Sequence, residues 1–171
     1  IEQGRVGAVS IWHYGHNIHD FEKVLKKGFS GIKKDAEDRL ARIDLTEPDD
    51  LKKVPFLESV ILVMEAAAEV GKRYAARARE LAETEDDPAR KAELHSIAEA
   101  CEWAPANPAR TFHEALQSLH FTWFMLQWES WGSQGRIDQY LYPYYVQDLR
   151  EGRITEAEAQ ELIDCYIIKL N

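Results

Sequence analysis

Residues 112–128 constrain the fold most, because this stretch predicts a helix that is apolar on nearly every side. Thr111 and Glu114 form a capping-box pattern that starts the helix. The large apolar side chains populate one stripe and then other faces: Phe112, Leu116, Leu119, Trp123 and Leu126, followed by Phe121, Phe124, Met125 and Trp128. Such a helix is normally buried inside a protein. We expect the other helices of this chain to cover only part of it.

The first two of the helices predicted before this stretch lie between residue 20 and about residue 81. Residues 20–43 form a helical pattern, although Gly28 and Gly31 weaken its centre. The next helix begins near Pro55, because proline suits the first helical position. Its predicted buried face follows helical spacing and comprises Leu57, Val60, Ile61, Met64, Ala68, Gly71, Tyr74, Ala78 and Leu81.

Local end signals place two more helices. The aspartate–proline pair at residues 87–88 predicts a cap and a first helical residue, and that helix runs to about Trp103. Residues 104–110 form a loop broken by prolines. Thr155 and Glu158 make a second capping box, which opens the last helix. The fold class predicted from these signals is mainly α.

The two ends of the sequence suggest a piece of a longer protein. The chain opens at Ile1 rather than at methionine, and its last helical pattern runs into the final residues, "CYIIKLN". The helix that is apolar all round supports the same interpretation, because its missing partners would lie elsewhere. We therefore expect a polypeptide that is truncated at both ends.

Composition excludes several classes of function. A chain of 171 residues suits one domain, and its net charge of −9 argues against a nucleic-acid partner, which would require a basic surface. No stretch approaches the roughly 18 apolar residues that a membrane span needs. The two cysteines are too few for a disulfide scaffold, so we expect a reducing, cytoplasmic location.

Histidine and cysteine positions leave only weak candidates for metal or nucleophile chemistry. His13, His16 and His19 are spaced three apart, which makes a zinc site conceivable. The glycine and asparagine between them oppose a regular helix, so we predict no bound metal. Cys101 and Cys165 both lie in helical patterns and are predicted to be buried structural thiols.

Residues 129–145, "ESWGSQGRIDQYLYPYY", are the densest candidate for a functional segment. Residues 132–135 break the chain after the apolar helix, and Arg136 and Asp138 are close enough to pair. Four tyrosines follow, with apolar rings and polar tips that suit the edge of a core: Tyr140, Tyr142, Tyr144 and Tyr145. Composition alone favours a structural turn.

Four motifs occur in order along the chain: "GHNIHDFEKVLKKGFSGI", "RKAELHSIAEACEWAPANPARTFHEALQSLHF", "GRIDQYLYPYY" and "ITEAEAQELIDCYIIKLN". Together they resemble the glycyl radical enzymes, in the pyruvate formate-lyase-like branch with glycerol and diol dehydratases, choline trimethylamine-lyase and aryl-acetate decarboxylases. The resemblance implies that residues 1–171 belong to the N-terminal half of the pyruvate formate-lyase-like domain. It also implies a ten-stranded α/β barrel, of which this fragment supplies mainly helices.

The resemblance implies lyase, dehydratase or decarboxylase chemistry on a small organic substrate, started by a thiyl radical. It also implies a glycyl radical in the full-length enzyme, an activating enzyme that uses S-adenosylmethionine and an iron–sulfur cluster, and a homodimer. Neither the radical glycine nor the catalytic cysteine is found in these 171 residues, so we expect the isolated chain to be inert. The alternative is a non-catalytic helical remnant or a partner-binding domain.

The resemblance also assigns substrate contacts. His16 matches a histidine that binds a substrate hydroxyl in glycerol dehydratase-like members. Trp131, Ser133 and Gln134 lie where those dehydratases have Gly-His-Ser-Ile-Ser, and this chain is shorter there and lacks that histidine. A bulkier, aromatic or less hydroxylated substrate than glycerol is therefore expected, with the tryptophan as an apolar wall.

The motif after this loop has a different expected role. Its polar residues are predicted to fix the chain where the barrel begins, rather than to touch substrate: Arg136, Asp138 and Gln139.

Overall fold

A computed structural model of the chain describes residues 17–126 and 132–170. These residues are mainly α-helical, as predicted, with one short parallel strand pair. The elements are β1 (Asn17–Ile18), α1 (Phe21–Leu40), α2 (Pro48–Leu51), α3 (Val54–Glu83), α4 (Pro88–Trp103), α5 (Phe112–Leu126), β2 (Gly132–Ser133), α6 (Ile137–Arg150) and α7 (Glu156–Lys169).

The centre of α1 is broken at Gly28, where the sequence predicted weakness. Gly28 has φ 64° and ψ 169°, a left-handed backbone that favours glycine. The break leaves the N–H groups of Phe29 and Ser30 without helical acceptors. They donate instead to the carbonyl oxygens of Pro105 at 3.0 Å and Ala106 at 2.9 Å. The loop between α4 and α5 is thereby attached to α1.

The same loop lies against α3 at Gly71. A Cβ atom at Gly71 would lie 2.5 Å from the carbonyl oxygens of both Cys101 and Ala104, so only glycine fits without a shift. Further along α3, Ala75 and Ala82 are fully buried, which lets α4 pack closely. Small residues thus line the contact between α3 and α4.

The predicted buried face of α3 is wrong at two positions, Tyr74 and Leu81, whereas Gly71 and Ala78 are buried as predicted. Tyr74 is 48% exposed and Leu81 is 41% exposed, whereas the buried positions there are alanines. The close approach of α4 excludes large side chains from the contact. A prediction from hydrophobicity favours the largest apolar residues, so it included Tyr74 and Leu81 and omitted Ala75 and Ala82.

Helix α5 lies at the centre of the core. The largest cluster of buried side chains joins it to α1, α6 and α7: Phe21, Leu25, Phe112, Ala115, Leu116, Leu119, Leu141, Ala159 and Tyr166. Phe121 packs on another side, against Ala75 of α3 and Cys101 of α4. Phe124 is 37% exposed, so cover within the described residues is extensive but incomplete, as the sequence predicted.

Two of the three predicted side-chain caps form as expected. The side chain of Asp87 accepts the N–H of Ala89, and Thr155 and Glu158 form a full capping box.

The box at Thr111 forms only in half. Glu114 donates its N–H to Thr111 Oγ1 at 3.2 Å, but its carboxylate turns to Arg110, accepting the backbone N–H at 2.8 Å and the guanidinium. The guanidinium also stacks over the Trp103 ring at 3.8 Å, which places it where the carboxylate can pair with it. The Glu114 carboxylate therefore stabilises the loop before α5 and does not complete the capping box.

Asp148 joins the end of α6 to the start of α5. Its side chain is buried and accepts the backbone N–H of Phe112 at 2.7 Å. The other carboxylate oxygen accepts from Arg153 Nε at 2.9 Å. One buried carboxylate thus satisfies a helix-terminal donor and holds the turn that leads to α7.

Replacing Gly28 with alanine tests the attachment of the loop to α1. A Cβ atom there would lie 2.5 Å from the carbonyl carbon of Asn107, in addition to the left-handed strain. Gly152 is the control, because its φ is 67° but nothing lies within 4 Å of an added Cβ. We expect Gly152→Ala to lower the free energy of unfolding in urea by about 1 kcal/mol, and Gly28→Ala by several times that. Equal losses would contradict the steric role.

Replacing Asp148 with alanine tests the link between α5 and α6. The change leaves the buried N–H of Phe112 without its acceptor, so the free energy of unfolding should fall by about 1–3 kcal/mol. Glu151→Ala is the matched control, because Glu151 also bonds Arg153 but at the surface. Urea denaturation of both variants should show no measurable loss for the control. If both variants lost the same free energy of unfolding, the buried hydrogen bond to Phe112 would contribute no more than the surface ion pair.

Candidate functional site

The two segments that carry the predicted substrate contacts lie side by side. Strands β1 and β2 pair in parallel, with Asn17 opposite Gly132 and Ile18 opposite Ser133. The predicted contacts His16 and Trp131 lie outside the described residues, and each directly precedes one of these strands in the sequence. The structure thus joins segments that are more than 100 residues apart in the chain.

Gln134 is held by two tyrosines. Tyr166 of α7 donates its hydroxyl to Gln134 Oε1 at 2.5 Å, and Tyr140 of α6 donates its hydroxyl to the backbone carbonyl of Gln134. Burial raises the pKa of the Tyr140 hydroxyl to about 12 and also raises the pKa of Tyr166, so both remain proton donors at neutral pH. Ser133 is exposed, and its Oγ accepts the N–H of Gly135 at 3.2 Å.

Gly135 completes this turn. Its φ is 63°, and a Cβ atom there would lie 2.8 Å from Cγ2 of Ile18 in β1. Glycine therefore permits both the left-handed turn and the close approach of the two segments. The loop 132–135 is seated between β1 and the tyrosines of α6 and α7.

Arg136 and Asp138 form the predicted pair. Arg136 Nε lies 2.9 Å from Asp138 Oδ1, and Nη2 lies 2.7 Å from Oδ2. Gln139 Nε2 donates to the same carboxylate at 3.0 Å. The hydrogen bond from Arg136 holds the pKa of the Asp138 carboxyl well below its usual range. All three side chains are exposed in the described part of the chain, and their scaffold role remains a prediction.

Three of the four tyrosines of α6 lie at the edge of the core, as the sequence predicted. Tyr140, Tyr144 and Tyr145 are half-buried against the main core cluster, which confirms their place at its edge. Tyr142 is 63% exposed, so its predicted place at the core edge is wrong. It faces away because α6 turns its neighbour Leu141 towards α5.

The cysteines and histidines do not form a second centre within residues 17–126 and 132–170. No group of three metal-ligating side chains occurs there. Cys101 is buried as predicted, and burial raises the pKa of its thiol to about 11. Cys165 is exposed, so the predicted burial is wrong. Helix α7 turns Ala159 and Tyr166 towards the core, and Cys165 falls outside that face.

Within the described ranges, none of the helices is both long and apolar enough to cross a membrane.

Comparison with known proteins assigns the chain to a family. The family model described as pyruvate formate lyase-like matches residues 7–171, which is nearly the whole sequence. The chain belongs to the pyruvate formate lyase-like family. This confirms the resemblance that the four sequence motifs indicated.

Several of the curated relatives have named reactions. The chain is 49% identical over 153 residues to the isethionate sulfite-lyase of Nitratidesulfovibrio vulgaris. The alignment covers 86% of this chain but 18% of that enzyme. The chain therefore spans about a fifth of the length of the curated relatives it matches.

Solved structures of family members have the same fold over this region. The glycerol-bound, B12-independent glycerol dehydratase from Clostridium butyricum matches with a TM-score of 0.85 and 43% identity, over 91% of this chain and 20% of that one. A glycyl radical enzyme from Archaeoglobus fulgidus matches with a TM-score of 0.81 and 35% identity, over 87% of this chain and 20% of that one.

Sequence reasoning missed Tyr166 as a neighbour of the candidate site. It lies 32 residues from Gln134 along the chain, so no local pattern joins the two. One signal was available, because Tyr166 and Ala159 are seven apart and therefore lie on the same face of the last helix.

Proposed function

We propose that the full-length protein is a glycyl radical enzyme of the lyase class that acts on a small organic substrate. Its reaction begins when a thiyl radical takes a hydrogen atom from the substrate, and a bond to a neighbouring carbon then breaks. The observation that carries the proposal is the 49% identity to an isethionate sulfite-lyase. Lyase, dehydratase and decarboxylase reactions all share this start.

Isethionate is the first substrate to test. It carries one hydroxyl group and a sulfonate, whereas glycerol carries three hydroxyl groups. Loss of sulfite from isethionate leaves acetaldehyde, which balances the atoms. The loop with Ser133 and Gln134 lacks the histidine that the glycerol dehydratase-like members use. A buried hydroxyl without a partner costs about 1–3 kcal/mol, which disfavours a polyol.

We assign the substrate pocket to the two paired segments. His16, Trp131, Ser133 and Gln134 line it, with the tryptophan as an apolar wall and the others as polar contacts. The pairing of Asn17 with Gly132 supports this assignment, because it brings the neighbours of His16 and Trp131 together.

The scaffold role belongs to the motif that follows the loop. Its three polar residues, Arg136, Asp138 and Gln139, hold the start of α6 and fix the chain where the barrel begins. Their mutual hydrogen bonds support this role.

The helices of this chain pack outside a ten-stranded α/β barrel in the full-length enzyme. Parallel strands require a long crossover connection, and β1 and β2 are joined through α1 to α5. Parallel sheets are covered by helices on both faces, which suits a chain that supplies mainly helices.

The remaining parts of the enzyme are supplied from outside these residues. A glycine elsewhere in the full-length chain stores the radical, and an activating enzyme with S-adenosylmethionine and an iron–sulfur cluster installs it. The enzyme works as a homodimer in anaerobic cytoplasm. The 171-residue chain alone is inert.

Anaerobic activation of the full-length protein tests the function. We expect an organic radical signal by electron paramagnetic resonance, and sulfite release when isethionate is added. The same treatment of the 171-residue chain should give no radical. Absence of a radical on the full-length protein would favour the helical-remnant alternative. A radical with turnover of 1,2-diols but not isethionate would assign a dehydratase instead.

Trp131→Ala in the full-length enzyme tests the apolar wall. Removing the indole enlarges the pocket and takes away a flat contact surface. We expect kcat/KM for isethionate to fall at least tenfold, and the relative rates on larger substrates to rise. The radical content after activation serves as the control for folding. An unchanged substrate preference would remove Trp131 from the pocket.

A further inference from the structure

Two tyrosine hydroxyls converge on Gln134 from different helices. Tyr166 of α7 is only 5% exposed and donates to Gln134 Oε1 at 2.5 Å. Tyr140 of α6 donates to the backbone carbonyl of the same residue. The Tyr166 ring is part of the main core cluster and the Tyr140 ring packs against it. Gln134 is therefore held by rigid elements, although it lies in a loop.

The bond from Tyr166 fixes the orientation of the Gln134 amide. A glutamine amide has one accepting oxygen and a nitrogen with two donors. The hydroxyl of Tyr166 occupies the oxygen, so the nitrogen faces the other way. Gln134 Nε2 is enclosed and has no acceptor among the described residues. An enclosed donor without an acceptor is costly, so this nitrogen requires an oxygen from another source.

The position of the amide indicates that source. Gln134 follows β2 directly, and β2 pairs with β1. Gly135 seats this loop against Ile18 of β1. Gln134 thus belongs to one of the two paired segments that we assign to the substrate pocket, and it lies next to the other in the fold.

We propose that Tyr166, with Tyr140, positions Gln134 so that its amide nitrogen donates a hydrogen bond to a negatively charged oxygen of the substrate. The inference rests on the proposed function and extends it from a pocket to a specific contact. A charged acceptor gives a shorter and stronger bond than a neutral one. Within the proposed function, the substrate class is an organic anion, with a sulfonate as the group to test.

The test uses a double-mutant cycle in the activated full-length enzyme. The variants are Tyr166→Phe, Gln134→Ala and both together, with KM and kcat for isethionate normalised to radical content. We expect Gln134→Ala to raise KM roughly 10- to 100-fold. Tyr166→Phe should raise KM by less, and should have no further effect when Gln134 is already alanine. The value of kcat should change little in each.

Tyr144→Phe is the matched control. Tyr144 is a half-buried tyrosine of α6 whose hydroxyl lies 3.4 Å from the carbonyl of Leu25, away from Gln134. Removing the Tyr144 hydroxyl should leave KM for isethionate unchanged. A rise in KM equal to that of Tyr166→Phe would show a general effect of removing core hydroxyls.

Gln134→Glu separates a ligand contact from a structural one. The new carboxylate still accepts from Tyr166, but it cannot donate and it repels an anion. If the amide binds the sulfonate, this variant should be worse than Gln134→Ala. If Gln134 only anchors the loop, the variant should restore the wild-type KM, which would overturn the inference.

The same measurements distinguish a failure of the proposed function from a failure of the inference about Gln134. Absence of a radical and of turnover in the wild-type enzyme would reject the proposed function, and the inference with it. Wild-type turnover together with additive effects of Tyr166→Phe and Gln134→Ala would reject the inference alone.

Discussion

The rest of the arrangement depends on one contact, in which the loop of residues 104–110 hydrogen-bonds to the backbone of α1 at the point where that helix is broken. Gly28 interrupts the helix, and the released N–H groups of Phe29 and Ser30 bond to loop carbonyls. On its other side the loop meets α3 at Gly71, where no side chain fits. Because the loop joins α4 to α5, this one segment sets the positions of four helices relative to one another. The apolar helix α5 starts directly from it.

The position of α5 then determines the site. Asp148 bonds the first turn of α5 from α6, so both helices share one buried carboxylate. Helix α7 packs on α5 through Ala159 and Tyr166. These contacts bring the Tyr140 and Tyr166 hydroxyls to the loop at Gln134. The loop is therefore ordered by the core beneath it, and a rigid support of this kind lets a polar side chain keep one orientation.

The chain belongs to the pyruvate formate lyase-like family, and in the enzyme proposed above this arrangement is one part of a longer protein. The chain spans about a fifth of its curated relatives, and the proposed division of labour follows from that share. In the proposed enzyme, these residues supply helices and one wall of the pocket, and the radical chemistry belongs to residues elsewhere. Small changes in the loop 132–135 would then alter substrate choice without altering the chemistry.

The sequence by itself determined the helical class, the family, the weak centre of α1 around Gly28 and the caps at Asp87 and Thr155, because these depend on motifs or on residues within one turn. It also predicted the Arg136–Asp138 pair, which is local. Only the tertiary structure decided features that depend on distant neighbours: the alanine face of α3, the turn of Glu114 towards Arg110, the exposure of Cys165, and the bond from Tyr166 to Gln134. Contacts between helices are set by close packing, and a single stretch of sequence does not contain its partner.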